Sequence, residues 1–239
     1  MAQCVNWIFG RGVSIGCNLT WRVPELLNEL PRERKIGEIK KAILNEMQSA
    51  KINTHSISMF LKNLAEKTSD DWCHRLITTN WDCLIEKEIE ALNLEFLPKW
   101  LINSYVYHLN GTVEVHENLN FGSPFLLEED SYLQRTNTVE TDQLFNSMLW
   151  GNIFFVVGMS FECESDRFLL HSLNKVQDDV PIGESIWFVL NPDPKALEVS
   201  SSRIARALPR AKVYTRCISF GDWVNEENNI LVKLGVFRF

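Results

Sequence analysis

Val5-Asn6-Trp7-Ile8-Phe9-Gly10-Arg11-Gly12-Val13-Ser14-Ile15-Gly16 reads as a buried strand running into a glycine-rich turn and the start of a helix. Val5 to Phe9 is a short apolar run, the pattern of a strand covered on both faces. Gly10 and Gly12 strip side chains from the turn, and Ser14 follows them. Such a turn lets backbone approach a diphosphate and meets its charge with amide hydrogens at a helix N-terminus. A simple tight turn explains the same residues. The third glycine of a dinucleotide fingerprint belongs three residues after Gly12, and Gly16 comes one residue late. No strand ending in an acidic residue follows at the expected distance, which counts against a hydride-transferring dehydrogenase.

Further segments repeat the strand-turn-helix order. His74 to Thr78 is a strand candidate, followed by Thr79-Asn80-Trp81-Asp82 and an amphipathic helix with Cys83, Leu84, Ile85, Ile89 and Leu92. Ile153 to Val157 ends in Gly158-Met159-Ser160 before a helix carrying Phe168, Leu169 and Leu173. Ile186 to Leu190 ends in Asn191-Pro192, Lys212 to Ile218 is a last strand, and Asp222 to Leu234 a closing helix. Tyr105 to Leu109 and Thr112 to Val115 flank Asn110-Gly111, the commonest two-residue hairpin turn. Helical text runs from Leu126 to Leu133 and from Val139 to Leu149.

Between the first two strands, Ile36, Ile39, Ile43 and Met47, then Ile57, Phe60, Leu61 and Leu64, recur at helical spacing. Pro24 suits the first position of a further helix. The expectation is an α/β fold: a Rossmann-like parallel sheet with helices on both faces and a small helical insert or lobe at about 24–72, in a single domain over residues 1–239. In an open parallel sheet the carboxyl ends of the strands share one edge, where ligands bind. Gly10 to Ser14, Thr79 to Asp82, Gly158 to Ser160 and Asn191 all fall there.

With 239 residues, 45% hydrophobic and 23% charged, the chain can bury a full core. A net charge of -7 disfavours attachment to a phosphate backbone, so nucleic acid is not the expected partner. The six cysteines, at 4, 17, 73, 83, 163 and 217, form no Cys-x-x-Cys, which excludes a zinc ribbon. His55, His74, His116 and His171 have no ligand-like spacing, and no metal is expected. The first residues carry no basic and apolar leader, and no run of 18 apolar residues follows. These features predict a cytoplasmic protein, away from membranes, with reduced cysteines.

Each motif has an ordinary explanation too. Thr79 with Asp82 fits a capping box, His108 fits an ordinary strand residue, and Gly158-Met159-Ser160 and Asn191-Pro192 fit generic strand-end turns. Their order, however, resembles the sirtuin-like superfamily over nearly the whole chain. Gly10-Arg11-Gly12-Val13-Ser14 is similar to that family's Gly-Ala-Gly-x-Ser loop, and Leu19 to Trp21 to the segment closing over the cofactor. Thr78-Thr79-Asn80-Trp81-Asp82 resembles its Thr-x-Asn-x-Asp motif, and Tyr107 to Gly111 falls at its Leu-His-Gly strand. Glu128 to Tyr132 resembles the acidic turn and tyrosine that follow, Val157 to Phe161 the Gly-x-Ser motif, and Leu190-Asn191-Pro192 the strand-end asparagine near the adenosine ribose.

Three departures refine the resemblance. The four zinc cysteines of protein-deacylating sirtuins are missing, so the chain resembles zinc-less bacterial sirtuin-like proteins of antiviral defence, several of which hydrolyse NAD. Arg11 stands at the family's alanine, where it could pair with the diphosphate or crowd it. Asn110 aligns with the family histidine, and His108, two residues earlier, shares its strand face.

The resemblance implies a metal-independent NAD glycohydrolase that releases nicotinamide and ADP-ribose. Asn80 would hold ribose hydroxyls or the attacking water, Asp82 would orient the nicotinamide end, and His108 would be the general base. Gly10, Arg11, Gly12, Ser14, Trp21, Thr79, Asn110, Gly158, Ser160 and Asn191 would bind the cofactor, with Ser14, Ser160 and Asn191 on phosphate and ribose hydroxyls. The alternative is a noncatalytic NAD or ADP-ribose sensing module, to which Asn110 in place of histidine points. A protein deacylase is a third reading, opposed by the missing zinc lobe. A homo-oligomer or a defence-system partner protein completes the expected partners.

Overall fold

The computed structural model describes residues 3–20, 25–49, 51–94, 101–114, 120–122, 125–127, 152–176, 185–226 and 229–238. Its strands are β1 (Gln3–Phe9), β2 (Trp72–Thr78), β3 (Leu101–His108), β4 (Asn120–Gly122), β5 (Ile153–Val157), β6 (Ile186–Leu190) and β7 (Lys212–Arg216). They form one sheet in the order β4-β3-β2-β1-β5-β6-β7, and every neighbouring pair is parallel. The helices are α1 (Arg11–Gly16), α2 (Arg32–Met47), α3 (His55–Lys67), α4 (Leu84–Ala91), α5 (Glu164–Val176), α6 (Pro194–Ala207), α7 (Phe220–Asn225) and α8 (Asn229–Lys233). This is an α/β, Rossmann-like arrangement. The chain winds outward from β1 to β4, returns to the other side of β1 at β5, and winds outward again, so the topological switch point lies between β1 and β5.

Alternation along the strands divides the core in two. Val5, Trp7, Phe9, Phe155 and Val157 face one layer, which holds Ile39 and Ile43 of α2, Phe60 and Leu64 of α3, Leu84 of α4 and Trp223 of α7. Ile8, Phe154 and Val156 face the other, which holds Phe168, Leu169 and Leu173 of α5 and Ile204 of α6. Trp7 stacks on Phe155 at 4.4 Å and meets Phe60 edge-on at 4.7 Å. Residues 32–67 thus share the core beside β1, and α3 is the crossover helix between β1 and β2. Trp7 Nε1 donates to His74 Nδ1 (3.0 Å), and burial holds the His74 pKa down at about 3, so this histidine stays neutral. No described helix is long and apolar enough to cross a membrane.

Three expectations change. The hairpin at Asn110-Gly111 is not formed, because the partner of β3 on that side is β4, and it runs parallel. A type I′ turn needs positive φ at both central residues. Only Gly111 has it, at +78°, and its N–H closes the turn on His108 O (3.3 Å), which puts Leu109 and Asn110 at the centre. The closing helix is two, α7 and α8. Leu126 and Leu127 are not helical, and the rest of the helices expected over 126–133 and 139–149 lies outside the described residues.

The loops after β1 and β5 touch backbone to backbone. Gly12 N–H donates to Gly158 O (2.8 Å) and Gly10 N–H to Val157 O (2.9 Å). A Cβ on Gly12 would lie 2.7 Å from Gly158 Cα, and one on Gly10 would lie 2.6 Å from Met159 Cβ. Gly158 itself has φ +63°, the left-handed region that disfavours side chains. By contrast, a Cβ on Gly16 would meet nothing within 4 Å. Gly12→Ala is therefore expected to destabilise the protein by about 2–3 kcal/mol, since backbone gives way only with strain. Gly16→Ala is expected to change stability by less than about 1 kcal/mol. Urea unfolding of both variants checks the contrast.

Candidate functional site

The strands end on one transverse row, Gly122–His108–Thr78–Phe9–Val157–Leu190–Arg216. Just beyond it, at the switch point, a cleft of about 210 Å³ opens. Arg11 and Ser14 come to it from α1, Thr79, Asn80 and Asp82 from the loop after β2, Asn110 from the turn after β3, and Gly158 and Ser160 from the loop after β5. The sequence-derived residues at these ends are thus neighbours in space.

A directed hydrogen-bond chain fixes the cleft floor. Asn80 Nδ2 donates to Gly10 O (3.1 Å) and to Ser14 Oγ (2.8 Å). Ser14 Oγ donates onward to Asp82 Oδ2 (2.6 Å), and Asp82 Oδ1 accepts from Leu84 N–H (3.3 Å). Both amide hydrogens of Asn80 are used, which leaves Oδ1 as the acceptor it can offer to the cleft. Ser14 has its proton committed to Asp82, so it can meet a ligand only as an acceptor. Burial raises the Asp82 pKa, while the Ser14 and Leu84 hydrogen bonds and His108 pull the other way. Asn110 Nδ2 donates to Thr79 O (2.8 Å), which ties the turns after β2 and β3 together.

His108 stands beneath this floor rather than in the cleft. Its Nδ1 lies 2.9 Å from Asn80 O, and its Nε2 lies 2.5 Å from Glu86 Oε1 of α4, with both side chains buried. A carbonyl only accepts, so Nδ1 carries a hydrogen. The contact between Nε2 and the carboxylate requires a second proton, so the pair holds two protons and no net charge. Burial alone would depress the His108 pKa, but the charge and hydrogen bond of Glu86 outweigh it and raise it. The residue expected as general base, His108, is therefore not among those lining the cleft. Its imidazole orients the Asn80 backbone from below.

Asn191 is also placed away from the cleft. Its Nδ2 donates to Met159 O (3.4 Å) and its Oδ1 accepts from Asp193 N–H (3.0 Å), so its side chain braces the loop after β5. The amides of Gly10, Gly12 and Val13 donate to Val157 O, Gly158 O and Gly10 O at 2.9, 2.8 and 3.1 Å. The diphosphate contact expected of Gly10 and Gly12 is not offered by these amides. Their glycine character answers to the neighbouring loop. Trp21 lies outside the described residues.

The sequence reading missed Trp81, Met159, Glu162, Cys163 and Asp166, which also line the cleft. Trp81 stacks on Phe125 at 4.9 Å and closes one side. The run Glu162-Cys163-Glu164-Ser165-Asp166 looks like ordinary acidic complement to the helix dipole at the start of α5. Only the fold shows that two of those acids face the cleft. With Asp82 they outnumber Arg11, so the described lining is net acidic.

Because the His108 pKa is raised in the folded protein, the pair's contribution to stability is complete below the unfolded value of about 6.5 and declines as pH rises through the folded value. Denaturant unfolding at a series of pH values is expected to show stability falling on the alkaline side of neutrality. Glu86→Gln, which removes the charge that raises the pKa, is expected to flatten that slope. Glu86→Ala leaves the imidazole buried without its partner and is expected to cost roughly 3–5 kcal/mol.

No protein-family model matches the chain, and no curated protein matches its sequence.

Proposed function

We propose that the cleft at the switch point binds the nicotinamide-ribose half of NAD, and that the protein is a sirtuin-like NAD glycohydrolase releasing nicotinamide and ADP-ribose. The observation that carries this reading is the chain Asn80 Nδ2 to Ser14 Oγ to Asp82 Oδ2, with Asn80 and Asp82 both lining the cleft. It holds one amide oxygen, Asn80 Oδ1, ready to accept from a ribose hydroxyl or an attacking water. A described volume of about 210 Å³ is below the roughly 300–1,000 Å³ of pockets that enclose a whole drug-sized ligand. It suits a nucleoside rather than a dinucleotide.

Breaking the bond between nicotinamide and ribose builds positive charge on the sugar ring. Fixed negative charge and oriented dipoles lower the energy of that state. Asp82, Glu162 and Asp166 supply the charge around the cleft, and Asn80 supplies the dipole. Ser160 would meet a hydroxyl, and Arg11, the cation among the described lining residues, would meet the diphosphate. His108 acts as a positioning residue, through the Asn80 carbonyl.

A second reading, noncatalytic binding of NAD or ADP-ribose, is favoured by one observation: among the described residues no imidazole lines the cleft. Incubation of the full chain with NAD, scoring nicotinamide and ADP-ribose, beside calorimetric binding, separates the two. The hydrolase reading expects release that Asn80→Ala abolishes while the variant keeps its unfolding transition. Binding without release, weakened about tenfold in Asn80→Ala for one lost hydrogen bond, assigns the cleft to sensing. Neither release nor binding overturns the NAD assignment.

A further inference from the structure

At the amino end of the sheet, opposite the cleft, four polar side chains form a square on one face. Cys4 of β1 is the register partner of Cys73 of β2, and Asn6 is the register partner of Arg75. Residues two apart on a strand share a face, so the two thiols lie side by side with Asn6 and Arg75 directly behind them. Neighbouring strands are about 4.7–4.9 Å apart, inside the span of about 4.4–6.8 Å between the Cα atoms of a disulfide. All six cysteines are free thiols here.

Arg75 makes this pair unlike two chance neighbours. Its side chain is 2% exposed, its Nη1 donates to Asn6 Oδ1 (2.5 Å), and its Nε has no partner. Among the described residues no carboxylate forms an ion pair with it. A buried cation without an anion is costly, and a thiolate on the adjacent strand position is the anion this face can supply. Cys73 is half-buried and reachable from solvent, whereas Cys4 is buried.

We propose that Cys4 and Cys73 form a thiol-disulfide site that reacts with a peroxide, with Arg75 holding the Cys73 sulfur as an anion. The Cys73 thiolate attacks one peroxide oxygen, the O–O bond breaks, and the departing hydroxide takes up a proton to become water. Sulfur is oxidised to a sulfenic acid and the peroxide is reduced. The Cys4 sulfur then attacks Cys73, an S–S bond forms, the S–O bond breaks, and a second water leaves with the Cys4 proton. Two thiols and one peroxide thus give one disulfide and two waters. The thiol acidities run the same way: the adjacent Cys4 thiol brings the Cys73 pKa down to about 7, against burial and with help from Arg75, while that of Cys4 is raised. The site goes beyond the cleft and its ligand, and stands apart from both.

The test uses the full chain, hydrogen peroxide, and mass spectrometry after alkylation of the remaining thiols. Peroxide is expected to remove two hydrogens from the intact mass and to yield a Cys4–Cys73 linked peptide that a thiol reductant reverses. Cys4→Ser is expected to leave Cys73 as a sulfenic acid that dimedone labels, and Cys73→Ser to abolish both products. Alkylation of Cys73 at pH 7 is expected to run roughly tenfold faster in the folded chain than in the urea-unfolded one, following its thiolate fraction. This comparison needs no variant at Arg75 and so does not depend on whether such a variant folds. A folded Cys73 that alkylates no faster than the unfolded one, or peroxide oxidation that yields no Cys4–Cys73 linkage, overturns the proposal.

Discussion

The contact between Gly12 and Gly158 sets the geometry of the cleft. Two loops from strands on either side of the switch point meet without side chains between them, joined by the Gly12 N–H to Gly158 O bond at 2.8 Å. That contact fixes where α1 starts, and with it the position of Ser14. The loop after β5 is held from its other side as well. Ser200 Oγ and Asn191 Nδ2 donate to Met159 O at 2.6 and 3.4 Å, and Arg203 donates to Phe161 O. Phe161 sits at φ +55°, an uncommon conformation for a bulky residue. It is fully buried and gripped by these neighbours. One wall of the cleft is thus rigid before any ligand arrives.

The opposite wall depends on burial of polar groups rather than on close backbone packing. Thr78 Oγ1 donates to Phe9 O (3.1 Å) and accepts from Asn80 N–H (3.0 Å), which starts the turn after β2. His108 completes it from below through Asn80 O, and Glu86 holds His108. Buried networks of this kind fix a single arrangement when their members are satisfied. Here Glu86 Oε2 remains without a partner, and the protons shared by the pair keep that carboxylate neutralised. The two walls converge on Asn80, whose side chain bonds to α1 and whose backbone bonds to β3. Its orientation therefore reports on both.

Much of the fold was legible because strands covered on both faces leave continuous apolar runs. Val5 to Phe9, Ile153 to Val157 and Ile186 to Leu190 are each read directly from such runs. The gathering of Ser14, Thr79, Asn80, Asp82 and Ser160 followed from placing each at a strand's carboxyl end. What the sequence hid was direction. Asn110-Gly111 carries a hairpin signature, but the side chain of Asn110 is drawn to Thr79 O, and the chain continues into a parallel strand. His108 and Asn191 sit at plausible positions along the chain, yet their polar atoms turn inward to serve the loops. Gly10 and Gly12 look like a phosphate turn because phosphate and a neighbouring backbone make the same demand: no side chain.

Charge then separates the two ends of the sheet. At the carboxyl end, Glu86 is matched by His108 below the floor, so the cleft's field comes from Asp82, Glu162 and Asp166 against Arg11. Asp82 is buried, where a charge acts more strongly than in water, whereas Glu162 and Arg11 are exposed and screened by solvent. The described lining therefore favours positive charge over negative charge in the cleft. At the amino end, the buried guanidinium of Arg75 bonds to the neutral Asn6, with no carboxylate paired to it among the described residues, and the local field has the opposite sign. The register of β1 on β2 thus places Cys4 and Cys73 beside Asn6 and Arg75 at one end of the sheet, while the acidic cleft at the other end also needs the loop after β5 and the start of α5, which bring Glu162 and Asp166.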